Sequence, residues 1–216
     1  MNQVLSASIT QLTLGPHPSK SSTAAVTRSY PVSIAAWNAF SPSELTLQQP
    51  VGRKLSVPEP STSMLIVRNE AGMESRFCAT IAMTLNQFEA DIGTIIRRSE
   101  ASSSDSKTTC DEICYDATRI FAVQEMKLFN NLSNMPSVAA TIATRYSDGL
   151  DLSDEAGDRK WCRVVAQAYG YMLDQGVCYG IISCYNRTWF IHALGAGNIE
   201  ISDAFACDGG GLIRAY

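Results

Sequence analysis

The run Ile120-Phe121-Ala122-Val123 constrains this chain most. Four consecutive apolar residues without alternation suit a strand covered on both faces, and such a strand needs helices above and below it. The run continues into Gln124-Glu125-Met126-Lys127, so two charges stand at the rim of a strand that otherwise belongs in a core. Charges in that position need partners. Two stretches have the period to supply the covering helices. Met73, Phe77, Ile81 and Leu85 recur at every fourth residue, which is one helical face. Asn69 suits the N-cap, and Glu70 in the first turn suits the positive end of the helix dipole. Trp161, Val164, Val165, Ala168 and Met172 form a second apolar stripe, with Gly176 placed to end that helix.

The strands follow the helices. Asp111–Tyr115 and Arg119–Lys127 read as two strands joined by a turn at 116–118. Val177–Cys184 and Arg187–Ala193 read as a hairpin turning at Tyr185–Asn186, and Ile199–Ile201 adds a strand. The order helix, strand, strand, helix, strand, strand predicts an α/β (α+β) layer fold, a central mixed sheet flanked by helices. Residues 1–62 differ in kind. The first 30 are rich in Ser, Thr and Ala without a period, and Pro31, Pro42, Pro50, Pro58 and Pro60 follow. Prolines at that density break regular elements, so residues 1–62 are expected to be an irregular, flexible N-terminal arm and residues 63–216 the domain. A short helix after Ser41 or Ser43 is expected, with Trp37 and Phe40 anchoring the arm. Residues 101–109, small and polar, read as a loop.

Composition excludes some classes. The net charge of −4 argues against coating nucleic acid by charge alone. No apolar run reaches the roughly 18 residues of a membrane-spanning helix, so no membrane partner is expected. The start lacks the pattern of a secretory signal, which makes an intracellular location the expectation. Seven cysteines without a CxxC pair, and only His17 and His192 as histidines, argue against a zinc site. Buried, reduced thiols are the expected state.

The chemistry-bearing set is Asp111 with Glu125 and Lys127. Glu125 lies 14 residues beyond Asp111, across one hairpin, so adjacent antiparallel strands can bring the two carboxylates together. Glu125 and Lys127 are two apart and share a face. Two neighbouring carboxylates repel, and a hard divalent cation relieves the repulsion. Mg²⁺ (or Mn²⁺) suits few carboxylates, a carbonyl (here Met126) and several waters. Bound water is then acidified for attack on phosphorus, with Lys127 orienting it or offsetting the developing charge. Arg97, Arg98 and Lys107 flank the loop before Asp111 and are candidates for gripping phosphates. Tyr169, Tyr171, Tyr179 and Tyr185 suit either base stacking or a core with wet hydroxyls. His192, among apolar neighbours, reads as a packed strand histidine.

The residues Asp111, Glu125 and Lys127 resemble the D…ExK signature of the restriction-endonuclease-like, PD-(D/E)XK, superfamily. Residues 97–115 (RRSEASSSDSKTTCDEICY), 166–193 (AQAYGYMLDQGVCYGIISCYNRTWFIHA) and 211–216 (GLIRAY) resemble stretches of the nuclease-like domain of Crinkler-type effectors and related fungal and oomycete proteins. The resemblance covers roughly residues 64–216. It implies a restriction-endonuclease-like core, Asp111 and Glu125 as metal ligands, and Lys127 as the catalytic lysine. Gln167 would complete the catalytic site, and Glu74 would be an acidic ligand from the first helix. Without the resemblance, Gln167 reads as a solvated helix shoulder. Cys110 stands where the signature has its proline. The implied function is Mg²⁺-dependent hydrolysis of phosphodiester bonds in nucleic acid, DNA foremost, by a Crinkler-like effector domain. Residues 211–216 would lead into a kinase domain, and the host nucleus would be the site of action. The alternative is a catalytically inactive nuclease-fold module that binds or regulates a kinase or host partner.

Overall fold

The computed structural model describes residues 11, 13–14, 29–40, 66–83, 97–100, 110–115, 119–148 and 158–207. Its centre is β6 (Ile120–Met126). On one side β6 pairs antiparallel with β5 (Glu112–Tyr115), which pairs antiparallel with β4 (Arg97–Glu100). On the other side β6 runs parallel to β7 (Tyr179–Ser183). Beyond β7 lie β8 (Arg187–Gly195) and β9 (Asn198–Ile201), each antiparallel to its predecessor. With β2 (Ser33–Ala36) beside β9, a mixed sheet results, in the order β2-β9-β8-β7-β6-β5-β4, with β10 (Phe205–Ala206) attached to β8.

A parallel β6–β7 pair needs a crossover, and among the described residues three helices lie between these strands. They are α2 (Phe129–Leu132), α3 (Ala139–Ser147) and α4 (Asp158–Gln175). The expected stripe of α4 is fully realised: Trp161, Val164, Val165, Ala168 and Met172 are all buried. They pack with Val123, Ile182, Trp189, Ile191, Ile199 and Ile201 from one face of the sheet. Gly176, at φ +64°, ends α4. Its N–H donates to Leu173 O, and the Val177 N–H donates to Met172 O, which closes the helix by a Schellman arrangement.

The opposite face is covered by α1 (Glu70–Phe77) and its π-helical continuation Cys78–Ala82. Met73, Phe77 and Ile81 are buried there against Ala122, Met126, Ile181 and Phe190. Asn69 caps α1 as expected: its Oδ1 accepts the Gly72 N–H at 2.8 Å. Leu85 lies outside the described residues. A three-layer α/β/α arrangement follows, so β6 is covered twice.

Four features depart from the sequence reading. Ser33–Ala36 form β2 and pair in parallel with β9, so this part of the expected arm belongs to the sheet. Pro31 precedes that strand and costs it no ladder bond. Thr13–Leu14 (β1) likewise pair with Ile66–Val67 (β3). The polar sequence Arg97–Glu100 is a strand, and α3 occupies a segment the periodicity did not mark. The Asp203 carboxylate accepts the first N–H of α3 at 2.8 Å. The expected anchors do hold: Trp37 stacks on Phe40 at 4.5 Å, and both pack on the α1-side core. The expected helix after Ser41 or Ser43, the 101–109 loop and residues 211–216 lie outside the described residues. No helix among the described residues is long and apolar enough to cross a membrane.

All seven cysteines are free thiols, but Cys78 and Cys178 are exposed, so the expectation of buried thiols holds for the other five.

The Asn69 cap sets where α1 begins, and through it the position of Glu70 and Glu74. Asn69→Ala is expected to lower stability by about 1 kcal/mol. In urea unfolding this should appear as a lower midpoint at unchanged slope.

Candidate active site

Two adjacent strand ends and the facing turns of two helices build the site. In the β5–β6 ladder Glu112 lies opposite Gln124, which brings Asp111 alongside the residues that follow Gln124. Asp111 Oδ2 accepts the Met126 N–H at 2.6 Å. The aspartate is thereby tied to the backbone between Glu125 and Lys127. Glu125 follows Val123 in the period-2 pattern and points to the α4 side of the sheet. Lys127, just beyond the strand, places its ammonium against Glu125 Oε1 in an ion pair. Its backbone N–H donates to Ser183 O of β7, which fixes the rim of the sheet at this point.

Enclosure is nearly complete. The Glu125 side chain is 0% exposed and that of Lys127 6%. Glu125 Oε2 has no hydrogen-bond partner. A carboxylate oxygen buried without a donor is costly, and it marks a place where a cation or a protonated group fits.

From the α4 side come Gln167 and Tyr171, one helical turn apart and both buried. Gln167 Nε2 donates to the Tyr171 hydroxyl at 3.0 Å. Gln167 is therefore not the solvated shoulder residue that its position in the stripe suggests. From the α1 side come Glu70 and Glu74. Glu70 Oε1 lies 3.9 Å from the Lys127 ammonium. Glu74 is half-buried and feels Asp111, Glu70 and Glu112. Glu112 accepts a hydrogen bond from the Cys78 thiol at 3.2 Å.

Burial and crowding raise the acids of the site above their ordinary range. Burial, then the Asp111 carboxylate, pushes the Glu125 carboxyl up to about 8 against the pull of Lys127. Burial, then Asp111, Glu70 and Glu112, pushes Glu74 up to about 7. Burial also raises Asp111, although Lys127 and the Met126 N–H oppose it. For Lys127, burial works against the charge. The carboxylates of Glu125 and Asp111 outweigh it, so the ammonium is held more firmly than in an ordinary lysine. Burial, followed by the Glu125 carboxylate, raises Tyr171. Burial likewise pushes the neighbouring Cys110 thiol up to about 12, leaving it protonated.

The hairpin thus brings Asp111, Glu125 and Lys127 together as the spacing predicts, and Gln167 and Glu74 face the same region. Met126 meets the site through its N–H, a contact that the sequence reading, which assigned it a carbonyl role, did not include. Sequence reasoning offered Tyr171 only base stacking or a core place, not a hydrogen bond within the site, and gave Glu70 no site role. The four-residue step from Gln167 to Tyr171 on the apolar face was the available signal for the tyrosine. Arg97 and Arg98 lie in β4, opposite Tyr115 and Cys114. Their side chains, and the whole of Lys107, lie outside the described residues. His192 stacks on Tyr179 at 5.1 Å and lies tilted against Trp37 at 5.2 Å, in the row of Tyr179 rather than the Ile182–Trp189 row that flanks Glu125. Tyr169 and Tyr185 are core residues, and Tyr179 is exposed.

Among the described residues no three His, Cys, Asp or Glu side chains form a ready-made metal cage. The donors that fit a hard cation are the Asp111 and Glu125 carboxylates, with the orphaned Glu125 Oε2 the most direct indication. Two carboxylates with remaining positions left to water is how Mg²⁺ is usually held. No protein-family model, curated protein or solved structure matches this chain.

A carboxyl raised above its unfolded value of 4.5 binds a proton more readily in the folded state. Its contribution is complete below that value and lost as pH rises through the folded value, about 7 for Glu74 and about 8 for Glu125. The cation-free protein should therefore lose stability between about pH 5 and pH 8. Glu74→Gln should remove part of that slope and gain about 1 kcal/mol over wild type at pH 8, a figure reduced for solvent screening. Urea midpoints across that range measure both.

Proposed function

We propose that this chain is a divalent-cation-dependent nuclease that hydrolyses phosphodiester bonds, with DNA as the first substrate to test. One observation carries the reading: Glu125 and Lys127 are buried at the rim of the central strand, with Asp111 tied to the residue between them. A pair of buried charges is poor value as a stabilising device, because apolar residues would serve as well. Its position where β5 begins and β6 ends, flanked by Gln167–Tyr171 and by Glu74, supports a catalytic purpose. The element order also supports it. A helix, three antiparallel strands, a helical crossover and a parallel strand form a mixed sheet flanked by helices, the layering that the nuclease reading expects.

In this reading Asp111 and Glu125 hold Mg²⁺ or Mn²⁺, with Glu74 and the Met126 carbonyl as further oxygen donors. Bound there, the cation would supply an acidified water and offset charge on the phosphate. The chain's own groups do the rest. Lys127 keeps its proton and presents a fixed positive charge to the oxygens that become more negative as phosphorus adds its fifth ligand. The Tyr171 hydroxyl accepts from Gln167 and so has its own proton free to donate toward the acids or a phosphate oxygen. The buried Met126 and Leu128 beside the site limit water and strengthen these interactions.

The full burial of Glu125 and its pairing with Lys127 also favours a second reading, in which the charges neutralise each other in an inert module that binds a kinase or host protein. Two measurements separate the readings. Wild type should nick supercoiled plasmid with Mg²⁺ or Mn²⁺, and Lys127→Ala or Glu125→Gln should reduce the rate at least about a hundredfold. Cleavage that survives either change, or is absent with every nucleic acid tried, removes the nuclease reading. Mg²⁺ should also raise the thermal midpoint, since it binds only the native state. Chelation should reverse the rise, and Asp111→Asn should abolish it.

A further inference from the structure

We propose that Glu70 is a positioning residue that receives the Lys127 ammonium when a divalent cation takes the ammonium's place on Glu125. The inference rests on the nuclease reading and concerns how its site is loaded. Lys127 Nζ contacts Glu125 Oε1, and the same nitrogen lies 3.9 Å from Glu70 Oε1 on the other side. One ammonium therefore sits between two carboxylates, close to one and at the outer limit of pairing with the other.

The close contact is an obstacle to loading. Glu125 is 0% exposed, so water does not screen its surroundings. A dication sharing that carboxylate with an ammonium would be strongly repelled at a few ångströms in a low dielectric. The ammonium must move, yet Lys127 is only 6% exposed. A buried ammonium that leaves one carboxylate needs another. Asp111 is committed, because its Oδ2 already accepts the Met126 N–H and it is itself a cation ligand in the nuclease reading. Glu74 also feels Lys127 but is a further cation donor in the nuclease reading, which leaves Glu70, at 3.9 Å from the ammonium, as the acceptor among the described residues not otherwise engaged. Its Oε1 is buried and has no hydrogen-bond partner. The side chain is 23% exposed, so it can adjust. Its backbone is fixed as the first residue of α1, directly after the Asn69 cap. A small rotation of the lysine stem then exchanges the Glu125 contact for a Glu70 contact. Lys127 stays charged and stays at the site, and the Glu125 oxygens are freed.

The role acts through Lys127, so it can be told apart from direct ligation or simple attraction between charges. Calorimetric titration with Mn²⁺, without nucleic acid, should show Glu70→Gln binding about tenfold more weakly than wild type. In a Lys127→Met background there is no ammonium to receive, so adding Glu70→Gln should cost about twofold or less. An equal loss in both backgrounds overturns the proposal and makes Glu70 a ligand or a diffuse charge. No loss in either background overturns it as well. Wild type that binds no Mn²⁺ removes the nuclease reading and this inference with it, whereas binding with an additive cycle removes only the inference. Should Lys127→Met not fold, the side-chain ammonium resonance of Lys127 in ¹⁵N-lysine protein gives the answer. Glu70→Gln should change that resonance strongly in the Mg²⁺-saturated protein and little in the cation-free protein. The reverse pattern, or no change in either, overturns the proposal.

Discussion

The parallel pairing of β6 with β7 is the constraint from which the site follows. Parallel neighbours force the chain to cross over the sheet, and the crossover lays α4 on one face of β6. With α1 on the other face, β6 has no exposed side. Its apolar run Ile120–Val123 then suits its place, and whatever charges follow on the same strand are carried into dry surroundings. Glu125 and Lys127 hold each other there because little water can. The same enclosure raises the acids of the site and holds the lysine charged. Burial is the largest influence on each of Glu74, Asp111 and Glu125, with the neighbouring carboxylates adding to it for Glu74 and Glu125.

The two helices contribute differently. From α4 comes a neutral pair, Gln167 and Tyr171, whose hydrogen bond runs along one helical turn. From α1 come acids, Glu70 and Glu74, also one turn apart. The rim of the sheet therefore lies between a neutral hydrogen-bonding wall and a negative wall, with Lys127 between Glu125 and the negative wall. Such a charge arrangement favours a cation over an anion.

What could be read in the sequence was local. The hairpin that joins Asp111 to Glu125 spans few residues, and the two-residue step to Lys127 needs only the strand period. The stripes of α1 and α4 needed only the helical period, and Asn69 and Gly176 marked their ends. What could not be read depends on distant partners or on polar residues in unusual places. Nothing in Ser33–Ala36 announces a partner in Asn198–Ile201. Arg97–Glu100 carries charges that suit a sheet's end strand and give no apolar signal. Gln167 looked solvated because a polar residue beside an apolar stripe usually is. Its burial follows from the tyrosine one turn away. Glu70 read as a partner for the helix dipole, and only the placement of α1 against the end of β6 brings it to Lys127.

The junction of β2 with β9 has a consequence for how this molecule comes into being. Ser33 bonds to Asn198, 165 positions later in the chain. During synthesis that early segment has nothing to dock on until nearly all of the rest has emerged, and loops of such span close slowly. The outermost strand on that side should be the last piece to settle into place. In thermal or chemical unfolding it should be the first to peel away, taking the Trp37 ring from its seat against His192 while the opposite end of the sheet is still intact.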